Sequence, residues 1–303
     1  MLHTTLACLL ASLATAQDKS RIAPDMADVP YGPHPRNVLD FWKAKAGEPA
    51  PLVVYIHGGG FKGGDKKSLS AAALKGYLDA GFAVAALNYR LTDTAPAPAA
   101  YLDCGRAIQF LRSKAKEWNI DPELVASTGG SAGAGTSMWL AFHDDLADPK
   151  SDDPVARQST RLTCVAVSNG QSSYSPLFAE KIGLPRPNFD RHEFFLPFYG
   201  IKKEEIDTPK AYKLYEEMAP ITYLTKDDPP AHLTYGFADE ACTATSNLGL
   251  VVHHPRFGIA LKERMDALGI ECVVQYKGSK GDPITPLEFI KKHIERARAS
   301  RAR

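Results

Sequence analysis

The chain has 303 residues, 44% of them apolar, with 36 basic against 35 acidic side chains and a formal net charge of +1. That length admits one large domain or two small ones, and the apolar share is that of a folded globular protein, which excludes disorder as a description of the whole chain. A net charge so near zero gives no electrostatic case for nucleic acid or an anionic membrane surface as a partner, and the basic end from Arg296 to Arg303 reads as a solvated helix terminus.

The first segment reads as a signal peptide, residues 1–16. Met1 to Ala16 holds no Asp, Glu, Lys or Arg, and its apolar run from Leu6 to Ala14 is far shorter than the roughly 20 residues that span a bilayer. Ala14-Thr15-Ala16 is a small-residue cleavage site that would leave Gln17 as the mature start. No later segment is apolar enough to insert in a membrane, so the expectation is a secreted or periplasmic protein. Export leaves Cys104, Cys164, Cys242 and Cys272 in the mature chain. Their spacing contains no C-x-x-C, and one disulfide among them is admissible in an oxidising compartment.

From residue 17 onward, apolar runs alternate with helical patterns, which predicts a mostly parallel sheet with helices on both faces. Pro51 to Ile56 is a buried strand that runs into His57-Gly58-Gly59-Gly60. Lys66 to Leu78 has helical spacing, Phe82 to Tyr89 is the next strand, and Ala99 to Trp118 reads as one helix. Val125 to Thr128 is a short strand that enters Gly129-Gly130-Ser131-Ala132-Gly133, with a helix following to about His143 and a strand from Leu162 to Val167. The alternation then breaks. Residues 171–225 are rich in aromatics and proline and read as a cap inserted between two strands. It resumes with a strand from His232 to Tyr235, a helix from Pro255 to Leu268, a strand from Glu271 to Tyr276 and a last helix from about Pro286. Residues 17–303 thus form one domain carrying an insertion.

Two motifs carry chemistry. Gly129-Gly130-Ser131-Ala132-Gly133 is G-x-S-x-G between a strand and a helix. A strand turning at once into a helix strains the serine, lifts its hydroxyl clear of the backbone and demands small residues two positions to either side. The three glycines after His57 let the backbone approach a ligand closely. The N–H groups of Gly59, Gly60 and Ala132 are the expected oxyanion hole. Replacing Gly59 by a β-branched residue is expected to block that approach with little effect on folding. No G-K-[ST] follows the glycines, so they are not a P-loop. No acidic residue ends the next strand, so they are not a dinucleotide site.

These motifs, with Gly64-Asp65-Lys66, Asn88-Tyr89-Arg90-Leu91 and Asp121-Pro122, resemble the α/β-hydrolase fold in its HGGG branch of serine esterases and lipases. The resemblance is greatest to secreted bacterial carboxylesterases related to feruloyl and acetyl-xylan esterases. It implies a serine carboxylesterase acting on a small-molecule or carbohydrate-linked ester through an acyl-enzyme intermediate, with Ser131 as nucleophile and no cofactor or metal. It also implies an acid in a G-x-x-D turn, which Gly236-Phe237-Ala238-Asp239 fits, with Glu240 beside it. The family histidine should follow the last strand, but Lys277 to Pro283 contains none.

The base must therefore come from elsewhere. His253 and His254, just before Pro255, fall on the carboxyl edge of the sheet where Ser131 lies, in the loop of Asp239. His232 starts a strand at the opposite edge. His293 and His143 lie deep in helices, and His57 braces the glycine loop. His192 lies in the insertion, where it can fold over the site. If none serves, the alternative is a catalytically impaired, hydrolase-fold binding protein. The aromatics Tyr174, Phe178, Phe194, Phe195, Phe198 and Tyr199 line an acyl pocket or form the insertion's own core. The acidic loop Asp144, Asp145, Asp148, Asp152 and Asp153 lacks calcium-loop spacing and reads as solvated.

Overall fold

A computed structural model describes residues 22–45, 47–186 and 195–302. The leader, His192 and Phe194 lie outside the described residues.

Eight strands form one sheet in the order β1-β2-β4-β3-β5-β6-β7-β8. They are β1 (Met26–Pro30), β2 (Val38–Trp42), β3 (Ala50–Ile56), β4 (Ala83–Leu87), β5 (Ile120–Gly130), β6 (Cys164–Ser168), β7 (Ala231–Tyr235) and β8 (Cys272–Tyr276). The pairs from β4 through β8 are parallel, and β1 and β2 add an antiparallel edge. The helices are α1 (Ala71–Asp79), α2 (Ala99–Ser113), α3 (Ala115–Trp118), α4 (Ala132–Phe142), α5 (Pro176–Lys181), α6 (Leu196–Tyr199), α7 (Pro209–Met218), α8 (Leu248–Val252), α9 (Arg256–Ala267) and α10 (Pro286–Arg301).

The strand periodicity of two sorts side chains onto the two faces. Along β3, Leu52, Val54 and Ile56 enter the core shared with α2, α4 and α9, while Val53 enters the core shared with α1 and α10. Both faces are covered, which is why β3 and β4 read as unbroken apolar runs. Each such side chain, fully buried, stabilises the fold by about 1.5–3 kcal/mol.

The predicted parallel strands all form, within a few residues of their expected ends. The 99–118 helix breaks at Lys114, and the 66–78 helix begins as a separate short turn before Ser70 caps α1. The strands β1 and β2 were not expected. Their apolar pattern is interrupted by Asp28 and Asp40, and both carboxylates are spent on one buried cation: Lys66 Nζ lies 2.9 Å from Asp28 and 2.7 Å from Asp40. Burial opposes the charge on Lys66, but the two carboxylates outweigh it and raise its pKa.

The cysteines Cys104, Cys164, Cys242 and Cys272 are all free thiols, three of them buried, so the disulfide that an oxidising compartment would admit is not formed among them. Burial raises the pKa of Cys104, Cys164 and Cys272, as befits small hydrophobic fillers. Among the described residues, no helix is long and apolar enough to cross a membrane.

In the acidic loop, Asp145 accepts the Thr160 and Ala147 amides, Asp148 accepts Lys150 N–H, and Asp153 pairs with Arg106. These carboxylates close the loop's own turns and tie it to α2 through Arg106.

Candidate active site

The strand order reverses direction at β3, whose neighbours are β4 and β5. Loops leaving such a point diverge and open a crevice at the carboxyl edge of the sheet. The glycine loop leaves β3 there, and the serine turn leaves β5 beside it, with Ile56 and Gly129 in register.

Ser131 has φ 53° and ψ −118°, in the region that favours glycine. Its N–H donates to the Ser168 carbonyl at the end of β6, 2.9 Å away. The glycines around it have a steric cause. A Cβ on Gly129 or on Gly133 would strike the Ile56 carbonyl oxygen, so neither position admits alanine without moving β3.

The glycine loop is braced from both sides. His57 is fully buried and stacks on Tyr89 with ring centroids 4.2 Å apart. Its Nδ1 lies 2.6 Å from the Gly58 carbonyl, and its Nε2 lies 3.3 Å from Arg36 Nη2. Arg36 also donates to the Gly64 and Tyr89 carbonyls. That network assigns the proton to Nδ1. Burial lowers the pKa of His57 to about 4, so the ring is a neutral brace at physiological pH. Asn88 completes the frame: its Oδ1 accepts Lys66 N–H at 2.6 Å, and its Nδ2 donates to Asp65 at 2.8 Å. Gly64-Asp65-Lys66 and Asn88-Tyr89-Arg90 are thus the loop's scaffold.

The structure corrects the expectation for Gly59. Its φ is +112°, and a Cβ there would strike the Gly63 carbonyl oxygen. Gly59→Val breaks the turn itself, so turnover and folding should fall together. The strain alone is about 1–3 kcal/mol, and each kcal/mol lowers the melting midpoint of a chain this size by about 2–4 °C. Differential scanning calorimetry of Gly59→Ala checks this. An unchanged midpoint would contradict the loop geometry.

The hydroxyl of Ser131 lies 2.9 Å from His253 Nε2. His253 immediately follows α8, a helix the sequence reading missed. Its available signal was Asn247, whose side chain caps Gly249 N–H at 2.8 Å, ahead of Leu248-Gly249-Leu250-Val251-Val252. Burial is the larger influence on His253 and lowers its pKa, while the Gly249 carbonyl works in the opposite direction.

The neighbouring ring goes elsewhere. His254 is fully buried, with Nε2 2.9 Å from the Glu240 carbonyl, so it is not at Ser131. Asp239 does not meet either histidine by a hydrogen bond among the described residues. Its carboxylate accepts Arg256 Nε at 2.9 Å, and the same guanidinium donates to the Gly183 carbonyl at 2.8 Å. The expected acid is therefore held in an ion pair that joins the β7 loop to the start of α9 and the end of α5. His232 is buried against Gln275, and His293 lies 3.6 Å from Glu271, both away from the crevice.

A cavity of about 420 Å³ opens over Ser131. Gly59, Gly60 and Ala132 form its polar floor, and Phe61, Tyr174, Phe195, Leu248 and Val252 its apolar walls. Ala132 opens α4, so its N–H belongs to the positive helix end. The inserted aromatics divide. Tyr174 and Phe195 face the cavity, Phe198 stacks on Phe61 and joins the main core with Tyr199, and Phe178 packs against Phe257 in a separate cluster. A larger cavity of about 610 Å³ is lined by Asp239, Arg256 and the outer face of α9, and Ser131 is not in its wall.

The BD-FAE family profile matches residues 39–250 of this chain. Esterase LipQ of Mycobacterium tuberculosis is 26% identical over 226 residues, covering 72% of this chain and 50% of that protein. Carboxylesterase NlhH of the same species is 32% identical over 159 residues, covering 52% and 48%. The chain spans about half the length of the curated relatives it matches. Among solved structures, an acetyl ester-xyloside bifunctional hydrolase from Caldicellulosiruptor lactoaceticus is similar at a TM-score of 0.62 and 20% identity, covering 87% of this chain and 88% of that one. A truncated carbohydrate esterase from gut microbiota is similar at 0.64 and 20%, covering 92% and 96%. At these identities the structural likeness speaks for the fold, and it agrees with the sheet order, the serine turn and the glycine loop. The profile covers more than half of the chain: the protein belongs to the BD-FAE family and has the α/β-hydrolase fold.

Proposed function

We propose that the chain is an exported serine carboxylesterase. The observation that carries the reading is the 2.9 Å contact between the Ser131 hydroxyl and His253 Nε2, on a strained turn beneath a cavity lined by Gly59, Gly60 and Ala132. Relatives named esterases and carboxylesterases support the reaction class, and neighbours named for carbohydrate esters support a small or carbohydrate-linked ester as substrate. Export rests on the leader-like residues 1–16.

In this mechanism Ser131 Oγ attacks the ester carbonyl carbon while His253 Nε2 takes the hydroxyl proton. The carbonyl electron pair moves to oxygen, and the N–H groups of Gly59, Gly60 and Ala132 stabilise the resulting charge. Collapse expels the alcohol, which leaves with the proton from His253. Water then repeats the sequence on the acyl-serine, with His253 again as base, and the carboxylic acid departs. The apolar walls accept the acyl or aryl part of the ester.

A fluorophosphonate probe tests the reading. It should label wild-type protein at Ser131, and hydrolysis of a short-chain aryl ester should accompany labelling. Absence of both from pH 6 to 9 would favour the binding-protein alternative.

The acid limb follows from His253. Its base form is required, and burial holds its pKa below the ordinary 6.5. The log of kcat/KM should therefore be level near pH 7–8 and fall as pH drops through an apparent pKa below 6.5. A carboxylate facing the ring would raise that value instead. An apparent pKa above 6.5 in a pH–rate profile would contradict the described surroundings of His253.

A further inference from the structure

Gln171 lies three residues beyond β6, is only 3% exposed, and stands in the wall of the Ser131 cavity. Its side-chain Nε2 donates to the Val252 carbonyl at 2.5 Å and to the Asn169 carbonyl at 3.3 Å. Val252 ends α8, and the next residue is His253. A helix of five residues cannot hold itself together: the His253 and His254 amides reach the Gly249 and Val251 carbonyls, and the Val252 carbonyl needs a donor from outside the helix. Gln171 supplies one. Ser131 is referenced to the same place, because its N–H donates to Ser168, the last residue of β6. Nucleophile and base thus both take their position from one strand end.

In a triad a carboxylate fixes the imidazole. Here the carboxylate of Asp239 is occupied by Arg256, and His253 is tied to α8 by its own amide, which donates to the Gly249 carbonyl at 3.2 Å. We propose that Gln171 is the positioning residue of the Ser131–His253 pair: its amide anchors the end of α8 to β6 and thereby sets the imidazole on the serine. The proposal rests on the esterase reading above. It requires a donor at this position. A glutamate of the same shape, when ionised, would aim its charge at two carbonyl oxygens. A methionine would fill the space without donating.

The test compares full-length wild type, Gln171→Met, Gln171→Glu and Asp239→Asn, with Ser131→Ala as the blank. It measures kcat and KM on a short-chain aryl ester, the rate of fluorophosphonate labelling, and thermal melts. Displacement of a reacting group by about 1 Å can cost on the order of 100-fold. In Gln171→Met, kcat should fall about 10- to 100-fold with KM within about threefold, and labelling should slow in parallel. Gln171→Glu should lose more at pH 8, and its kcat relative to wild type at the same pH should recover toward pH 6.5. There the protonated carboxyl again donates to the Val252 carbonyl, a pH signature that a purely structural role lacks. The proposal is overturned by kcat within threefold of wild type in both variants, by a loss confined to KM, or by Asp239→Asn losing more than Gln171→Met. Wild-type protein that neither labels nor turns over overturns the esterase reading itself, and the positioning role with it.

Discussion

Replacing Ser131 with alanine should remove fluorophosphonate labelling and lower ester turnover on the order of 10⁶-fold, the scale seen when a serine nucleophile that acts as a unit with its base is lost. The expectation follows from the turn. Ser131 faces His253 Nε2 at 2.9 Å, and its cavity is floored by Gly59, Gly60 and Ala132. The turn itself gains nothing from an alanine, because φ 53° and ψ −118° are as unfavourable for alanine as for serine. Glycine adopts that conformation freely. Ser131→Gly should therefore be equally inactive but melt higher than Ser131→Ala, since strain of this kind stores about 1–3 kcal/mol. Paired melts and labelling assays check both halves. Equal melting of the two variants would mean that the turn is not strained, and residual labelling in either would place the nucleophile elsewhere.

The readable parts of this fold are those where one physical rule acts alone. The parallel strands β3 through β7 are largely buried on both faces, so their apolar runs announced them, and the half-buried edge strand β8 still carries Cys272, Val273 and Val274. The serine turn and the glycine loop carried their steric reasons in the letters, since Gly129, Gly133 and Gly59 all sit against backbone oxygens. The strands β1 and β2 were hidden because Asp28 and Asp40 serve a buried lysine that lies far along the chain. The same kind of long-range pairing misled the reading of Asp239. A G-x-x-D turn at a strand end looks like a triad acid, but Arg256, 17 residues later, claims the carboxylate. Edge position drew attention to His253 and His254, and nothing in the sequence separates two adjacent rings. His253 caps the short helix α8, and the last carbonyl of that helix accepts from Gln171, a residue with no local signature.

The two rings separate by substitution. His253→Ala should lower kcat by about 10²–10⁴, the usual contribution of a positioned general base, with labelling of Ser131 slowed in step and little change in melting. His253 is only partly buried, and the contact it loses is the one to the Ser131 hydroxyl. His254→Ala should show the opposite pattern. Its ring is fully buried, its Nε2 meets the Glu240 carbonyl at 2.9 Å, and its Nδ1 accepts the Arg256 N–H at 3.3 Å. Removing it opens a void where a fully buried ring stood and takes their partner from the Glu240 carbonyl and the Arg256 amide, each hydrogen bond worth about 0.5–1.5 kcal/mol. The His254 variant should therefore melt several degrees lower while its folded fraction still labels at Ser131. The Glu240 carbonyl lies on the loop of Asp239, and Arg256 is the partner of Asp239, so some of that destabilisation should reappear in Arg256→Ala. The deciding measurement is labelling rate against melting midpoint for the two histidine variants. If His254→Ala loses labelling while remaining folded, and His253→Ala labels at the wild-type rate, the base is the other ring, and the 2.9 Å contact is not the one that transfers the proton.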